Sequence, residues 1–221
     1  MRVVIAGGHG KIALATERLL TDRGDSVAAI IRNPDHADDV RAAGADPIVL
    51  DLEDTDVEAV AAHLSGADAV IFAAGAGPGS GAARKLTVDR DAAILLADAA
   101  EAAGVHRYAM ISAMAADVAA PDAAGDPVFV AYLRAKGAAD DEVRSRSALH
   151  TTIVRPGLLT DEPGTGRVQI AARTGRGAIP RADVAAVLVA VLDSPETAQH
   201  TFEVIAGADR VGDAVAALTR D

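Results

Sequence analysis

An α/β fold is what this sequence predicts: a doubly wound parallel sheet with a small C-terminal cap. Three observations carry that expectation. Short β-branched runs alternate with helical patterns as far as Arg155. The runs are apolar at successive positions, as strands buried on both faces are, and so point to parallel strands joined by helical crossovers. Half of the 221 residues are apolar, enough to fill a core between a sheet and helical layers.

In chain order, residues 2–6 form a first strand that runs into a glycine cluster. A helix follows over 11–23, with Ile12, Leu19 and Leu20 as its apolar stripe and Gly24 as its stop. Strands follow at 26–31, 46–50 and 67–73. Residues 75–83 (GAGPGSGAA) are low in complexity and read as a loop. A long helix over 82–103 ends at Gly104, a fifth strand covers 106–112, a helix 128–146, and a sixth strand 151–155. Right-handed crossovers wind these elements into one sheet. Between Thr160 and Arg181 the composition turns to Gly, Pro and Arg. A helix over 182–192, a strand over 201–205 and a helix over 211–218 complete the chain. Residues 1–221 are thus expected to form one domain, with 160–221 as a small cap on the substrate side.

Composition excludes several classes of function. Twenty-one basic residues against 32 acidic ones give a formal charge of −11, which argues against a nucleic-acid partner. No stretch approaches the ~20 apolar residues of a membrane span, and the first apolar run is too short for a signal peptide; a cytoplasmic protein is expected. Cysteine is absent, so thiolate metal sites, disulfides and cysteine nucleophiles are excluded. The six histidines show no H-x-H or H-x-x-x-H spacing, so no metal centre is expected. No G-x-S-x-G elbow is present, which removes a serine hydrolase as the leading idea.

The glycine cluster carries the first functional signal. Gly7, Gly10 and Ala13 stand in a G-x-x-G-x-x-A spacing between a strand and a helix. Small residues there permit a tight turn, let the backbone approach a pyrophosphate, and let the helix pack on the strand. The helix N-terminus adds amide donors and partial positive charge. Gly7, Gly8, His9, Gly10, Lys11 and Ile12 are therefore candidate contacts of a dinucleotide in a Rossmann-type sheet. At the end of the second strand stands Arg32, where NAD sites usually place a carboxylate. A guanidinium suits a 2′-phosphate, which favours NADP, while nearby Asp35 keeps NAD open. Asp51, with Leu52 after it, either accepts from the adenine amino group or caps the next helix.

The second signal is Tyr132-x-x-x-Lys136. Four residues apart in a helix, the two side chains share a face. An ammonium beside a phenol favours phenolate and suits proton exchange with a carbonyl or alcohol oxygen. Ser112 ends the fifth strand, where open α/β sheets place their sites, and its hydroxyl would hold the same oxygen. Ser112, Tyr132 and Lys136 are the candidate catalytic residues.

Gly7-x-x-Gly10-x-x-Ala13, Ala73-Ala74-Gly75, Ser112, Tyr132-x-x-x-Lys136 and Arg155-Pro156-Gly157, in this order, resemble a short-chain dehydrogenase/reductase. More narrowly, they resemble its compact atypical members, the NmrA-like group related to flavin/biliverdin reductases and small sugar-epimerase-like proteins. The likeness covers nearly the whole chain and is most specific at 88–103 and 153–167. It implies that Lys136 binds the nicotinamide ribose, that Pro156, Gly157 and Leu158 line the nicotinamide, and that Ala73, Ala74 and Gly75 lie under the adenine ribose. The chain departs from the pattern at Ala13, in place of a third glycine, and at Ala6, in place of a threonine. The expected function is hydride transfer between NADP(H) and a small carbonyl, quinone or flavin-like acceptor, by a monomer or homodimer. The other class is a non-enzymatic NAD(P)-binding redox sensor.

Overall fold

Val3, Val4, Ile5 and Ala6 are all closed to solvent, so the first strand, β1 (Arg2–Ala6), has no wet face. A strand of that kind belongs in the interior of a parallel sheet. A computed structural model, which describes residues 1–77 and 79–219, places it there. β1 leads through the glycine cluster to α1 (Lys11–Asp22), then β2 (Ser26–Ile31), α2 (Ala37–Ala42), β3 (Asp46–Val49), α3 (Val57–Leu64) and β4 (Ala69–Phe72). One helical stretch follows in three parts: α4 (Gly81–Arg84), a π-helical turn (Lys85–Asp91) and α5 (Ala92–Ala102). Next come β5 (Arg107–Ile111), α6 (Pro127–Arg144), β6 (His150–Pro156), β7 (Leu158–Thr160), β8 (Arg167–Ala171) and β9 (Ala178–Pro180). The chain ends in α7 (Arg181–Asp193), β10 (Thr201–Ala206), β11 (Asp209–Arg210) and α8 (Val211–Ala217).

The strands form a nine-stranded sheet in the order β11-β8-β10-β6-β5-β4-β1-β2-β3, parallel from β10 to β3. This is the expected doubly wound arrangement: the chain leaves β1 toward β2 and β3, then returns to its other side at β4. The reversal opens a crevice beyond the carboxyl ends of β1 and β4. One face of the sheet is covered by α1, α7 and α8, the other by α3, α5 and α6. Where α6 begins, Asp126 accepts from the Val128 and Phe129 N–H groups at 2.9 and 3.1 Å, and Pro127 takes the first helical position.

Two details differ from the sequence expectation. Leu19 is 41% exposed, whereas the buried residues of α1 are Ile12, Ala13, Thr16, Glu17 and Leu20. At 100° per residue the centre of that arc lies between Thr16 and Leu20, which leaves Leu19 on its rim. The stretch read as irregular contains β8, which pairs antiparallel with β10. The expected cap thus extends the main sheet through β8, β10 and β11 and covers its face with α7; the small separate piece is the parallel pair β7–β9. Among the described residues, no helix is long and apolar enough to cross a membrane.

Candidate functional site

Gly7 has φ +82°, a conformation that strains any side chain, and an added Cβ would stand 2.5 Å from the Ala74 Cα. The β1 and β4 loops therefore touch across the crevice only because residue 7 is glycine. The Gly7 and Gly8 N–H groups both donate to the Ile30 carbonyl, and the Gly10 N–H donates to that of Gly7. Gly10 precedes α1 and offers no capping side chain, so the first-turn amides of α1 are left for a ligand. A Cβ on Gly10 would meet only the Gly7 carbonyl, at 3.3 Å, and the Ala73 carbonyl, at 3.8 Å.

These loops wall a cavity of about 360 Å³ at the sheet's switch point. Gly7, His9, Gly10, Arg32, Asp51, Leu52, Ala73, Ala74 and Gly75 all line it, so nine of the expected cofactor residues meet around one space. The Asp51 carboxylate accepts from the Glu53 N–H at 3.0 Å, which makes it a turn cap on the cavity wall. His9 stacks on His36 with ring centroids 3.6 Å apart, and its Nε2 lies 2.7 Å from Asp39. Gly8 faces away: an added Cβ would strike Ala29 and approach the Glu17 carboxyl. Lys11 also points elsewhere, pairing at 2.5 Å with Asp161, which Arg181 holds from the other side at 2.6 Å. Ile12 is buried in the core. The donors, the uncapped helix and the close-packed glycines fit a dinucleotide.

Ser112, Tyr132, Lys136, Pro156, Gly157 and Leu158 lie outside the cavity's lining. Leu158 is 74% exposed, and Gly157 lets β6 turn into β7 against the Gly177 carbonyl. Lys136 is buried, donates to the Ile111 carbonyl at 3.1 Å and sits 3.5 Å from Asp89. Burial pushes its ammonium down from the usual lysine range, against the upward pull of Asp89 and Asp140. The Tyr132 phenol is pushed up, first by burial and then by the Asp89 and Asp140 carboxylates. This corrects the expectation of a phenolate: the ammonium's charge is matched by carboxylates before it can act on the phenol. Among the described residues, buried Ser112 Oγ and Asp140 Oδ1 make no well-formed hydrogen bond, yet Ser112 lies close enough to pull the Asp140 carboxyl down against the burial that raises it, while Asp140 Oδ2 pairs with Arg155 at 2.7 Å.

Asp89, which lies in the 88–103 stretch of the resemblance but was given no role there, connects the two halves of the site. It sits on the π-helical turn, is 1% exposed, and accepts from the Ala76 N–H at 3.3 Å. Ala76 lines the cavity. One turn earlier, Lys85 donates to the Gly77 carbonyl at 2.8 Å and lies 5.3 Å from the centre of the Tyr132 ring. Lys85 and Asp89 thus face Tyr132 and Lys136 as two rungs, and both hold the loop after β4. π-Turns of this sort commonly mark functional positions; the resemblance marked the stretch from residue 88 onward but assigned Lys85 and Asp89 no role.

A sequence profile for NAD(P)H-binding proteins matches residues 7–195. The chain belongs to the NAD(P)H-binding family. A Bacillus subtilis relative named as an uncharacterized sugar epimerase, YhfK, is 36% identical over 220 residues, spanning 99% of this chain and all of the relative. A Bacillus halodurans structure, provisionally named an NAD-dependent epimerase/dehydratase, is 35% identical with a TM-score of 0.88, over 98% of this chain and 99% of that one. The anaerobilin reductase ChuY from Escherichia coli O157:H7 shares the fold at 24% identity and a TM-score of 0.74, covering 93% and 97% of the two chains. The family and these neighbours fit the atypical short-chain dehydrogenase/reductase group that the motifs resemble.

Proposed function

We propose that this protein is an oxidoreductase that passes hydride between NADP(H) and a small carbonyl, quinone or flavin-like acceptor. The observation that carries this reading is Asp89, which joins the cavity wall at Ala76 to buried Lys136, one helical turn from half-buried Tyr132. The α1 amides and Gly10 hold the pyrophosphate, Asp51 and Leu52 flank the adenine, and Arg32 meets the 2′-phosphate. When bound, the nicotinamide supplies the hydride. Ser112 Oγ, just past β5 and beside Asp140, orients the acceptor oxygen. Tyr132, kept protonated first by burial and then by two carboxylates, holds that oxygen by a hydrogen bond and passes it the proton as the arriving hydride makes it basic.

The test is NADPH oxidation with a panel of quinones, flavins and aldehydes, repeated with Tyr132→Phe. The variant keeps the ring, so NADPH affinity should stay within a few-fold while turnover falls by about 10²-fold, the usual size of a general-acid contribution. Turnover that survives unchanged would reassign Tyr132 to the pocket wall and favour an acceptor that draws its proton from water. NADPH binding without turnover on any acceptor would favour the redox-sensor class.

A further inference from the structure

One carboxylate at the rim of the cavity is held by three side chains from two parts of the fold. Arg32, just past β2, places Nη1 3.1 Å from Glu53 Oε2. Arg84, at the end of α4, donates Nη2 to the same oxygen, and the Thr87 hydroxyl donates to Oε1 at 2.6 Å. Arg32, Glu53 and Arg84 all line the cavity, beside Asn33 and His36. Arg84 holds the Glu53 carboxyl below the usual carboxylate range, so it is an anion throughout the neutral region. Arg32 alone favours a phosphate. With Glu53 upon it, that guanidinium arrives already neutralised, and the site regains the acceptor that the end of β2 lacks.

We propose that Glu53 sets the cofactor preference of this site, restraining its selection of NADP(H) over NAD(H), with Arg84 as the second phosphate-reading cation. The proposal deepens the nicotinamide-cofactor reading above and rests on it. A bare ribose diol has hydroxyl donors that a carboxylate accepts, whereas a 2′-phosphate brings negative charge to the same place. Two guanidiniums freed of their carboxylate form the forked, planar donor set that binds phosphate best. Glu53 is thus the charge that decides between two ligands differing by one phosphate.

Calorimetric titration of NADPH and NADH into the unmodified chain, Glu53→Gln and Arg84→Ala at fixed ionic strength tests this. Glutamine keeps the length of the side chain and its bond to Thr87, and thermal unfolding of each variant confirms that the fold is kept. Glu53→Gln should raise the NADPH-to-NADH affinity ratio at least tenfold, about 1.4 kcal/mol, mainly by tightening NADPH. Arg84→Ala should lower the ratio. A ratio that is unchanged or lower in Glu53→Gln overturns the proposal, and leaves Glu53 as a brace for the two arginines. If the unmodified chain binds neither nucleotide, the cofactor reading falls and this inference with it; if it binds them and only the ratios fail to move, this inference alone falls.

Discussion

An ammonium lowers the pKa of a neighbouring phenol only while its charge is unmatched. Lys136 lies 3.5 Å from Asp89 and one helical turn from Asp140, so a phenol near it meets more carboxylate than ammonium. The chain allows this to be read directly, because it has no tryptophan and two tyrosines. Tyr108 is completely buried and donates to the Ala93 carbonyl, so the phenol that titrates first is that of Tyr132. In the unmodified protein, tyrosinate absorbance should appear only above the ordinary phenol range. Asp89→Asn removes the nearer carboxylate and frees the ammonium, and both effects favour phenolate. The tyrosinate midpoint should therefore fall, and in Tyr132→Phe this early phase should vanish. The same substitution leaves Lys136 with one fewer partner in a buried place, at a cost of up to roughly 3–5 kcal/mol in unfolding free energy. A midpoint that stays put despite the lost stability would reduce Asp89 to packing. The sequence marked the stretch around Asp89 but not its role, since its partners stand 13 and 47 positions away and only the fold brings them together.

The element that most repays substitution is the turn from β1 into α1, because its glycines have different duties. Gly7 combines φ +82° with the 2.5 Å approach to Ala74, so Gly7→Ala strains the backbone and parts the β1 and β4 loops. It should lower stability by about 1–3 kcal/mol as well as weaken nucleotide binding. Gly10 has extended backbone, and an added Cβ there makes one tight contact, 3.3 Å from the Gly7 carbonyl, against the 2.5 Å clash at Gly7. Gly10→Val should leave the denaturation midpoint nearly unchanged while abolishing NADPH binding, because the branched side chain stands before the uncapped amides of α1. Equal effects of the two substitutions on stability and binding would contradict this division. The turn was legible in the sequence because its signal is local: β-branched run, glycines, helix. β1 and β2 were legible to the residue for a related reason, each being apolar after its first residue. β8 was not, since Arg167–Ala171 alternates between exposed and buried, and its identity as a strand depends on β10, more than 30 residues later. Glu53 and Arg84 escaped notice in the same way, each an ordinary surface charge until β3 and α4 close on one cavity.

For the whole molecule, stability should fall as pH rises, for two separable reasons. The formal charge of −11 makes the folded chain repel itself more strongly as its remaining acids ionise. The second is the burial of carboxyl groups, Asp140 among them and Glu17 above all. Glu17 on α1 is completely buried, neither of its carboxyl oxygens has a hydrogen-bond partner among the described residues, and burial pushes its pKa from 4.5 up to about 8. The raised folded-state value means that the folded protein holds this proton where the unfolded chain has lost it. Its contribution is complete below about pH 4.5, drains away between there and about 8, and is flat beyond. At about 1.4 kcal/mol per pKa unit the loss is on the order of a few kcal/mol, a large share of an ordinary domain's stability. Glu17→Gln copies the protonated acid and cannot ionise, whereas it leaves nearly all of the surface charge in place. Denaturant unfolding of the two proteins should therefore agree near pH 4.5 and diverge up to about pH 8, with Glu17→Gln the more stable on the alkaline side. Parallel curves across that interval would assign the whole slope to surface repulsion and Asp140. The charge that forms lies directly behind Gly8, at 3.2 Å from where a Cβ there would stand, so a loop built to hold a pyrophosphate gains an anion at its back as Glu17 ionises. NADPH affinity should then weaken over the same interval in the unmodified chain and hold steady in Glu17→Gln, tying the stability of the fold to the strength of its phosphate loop through one buried carboxyl.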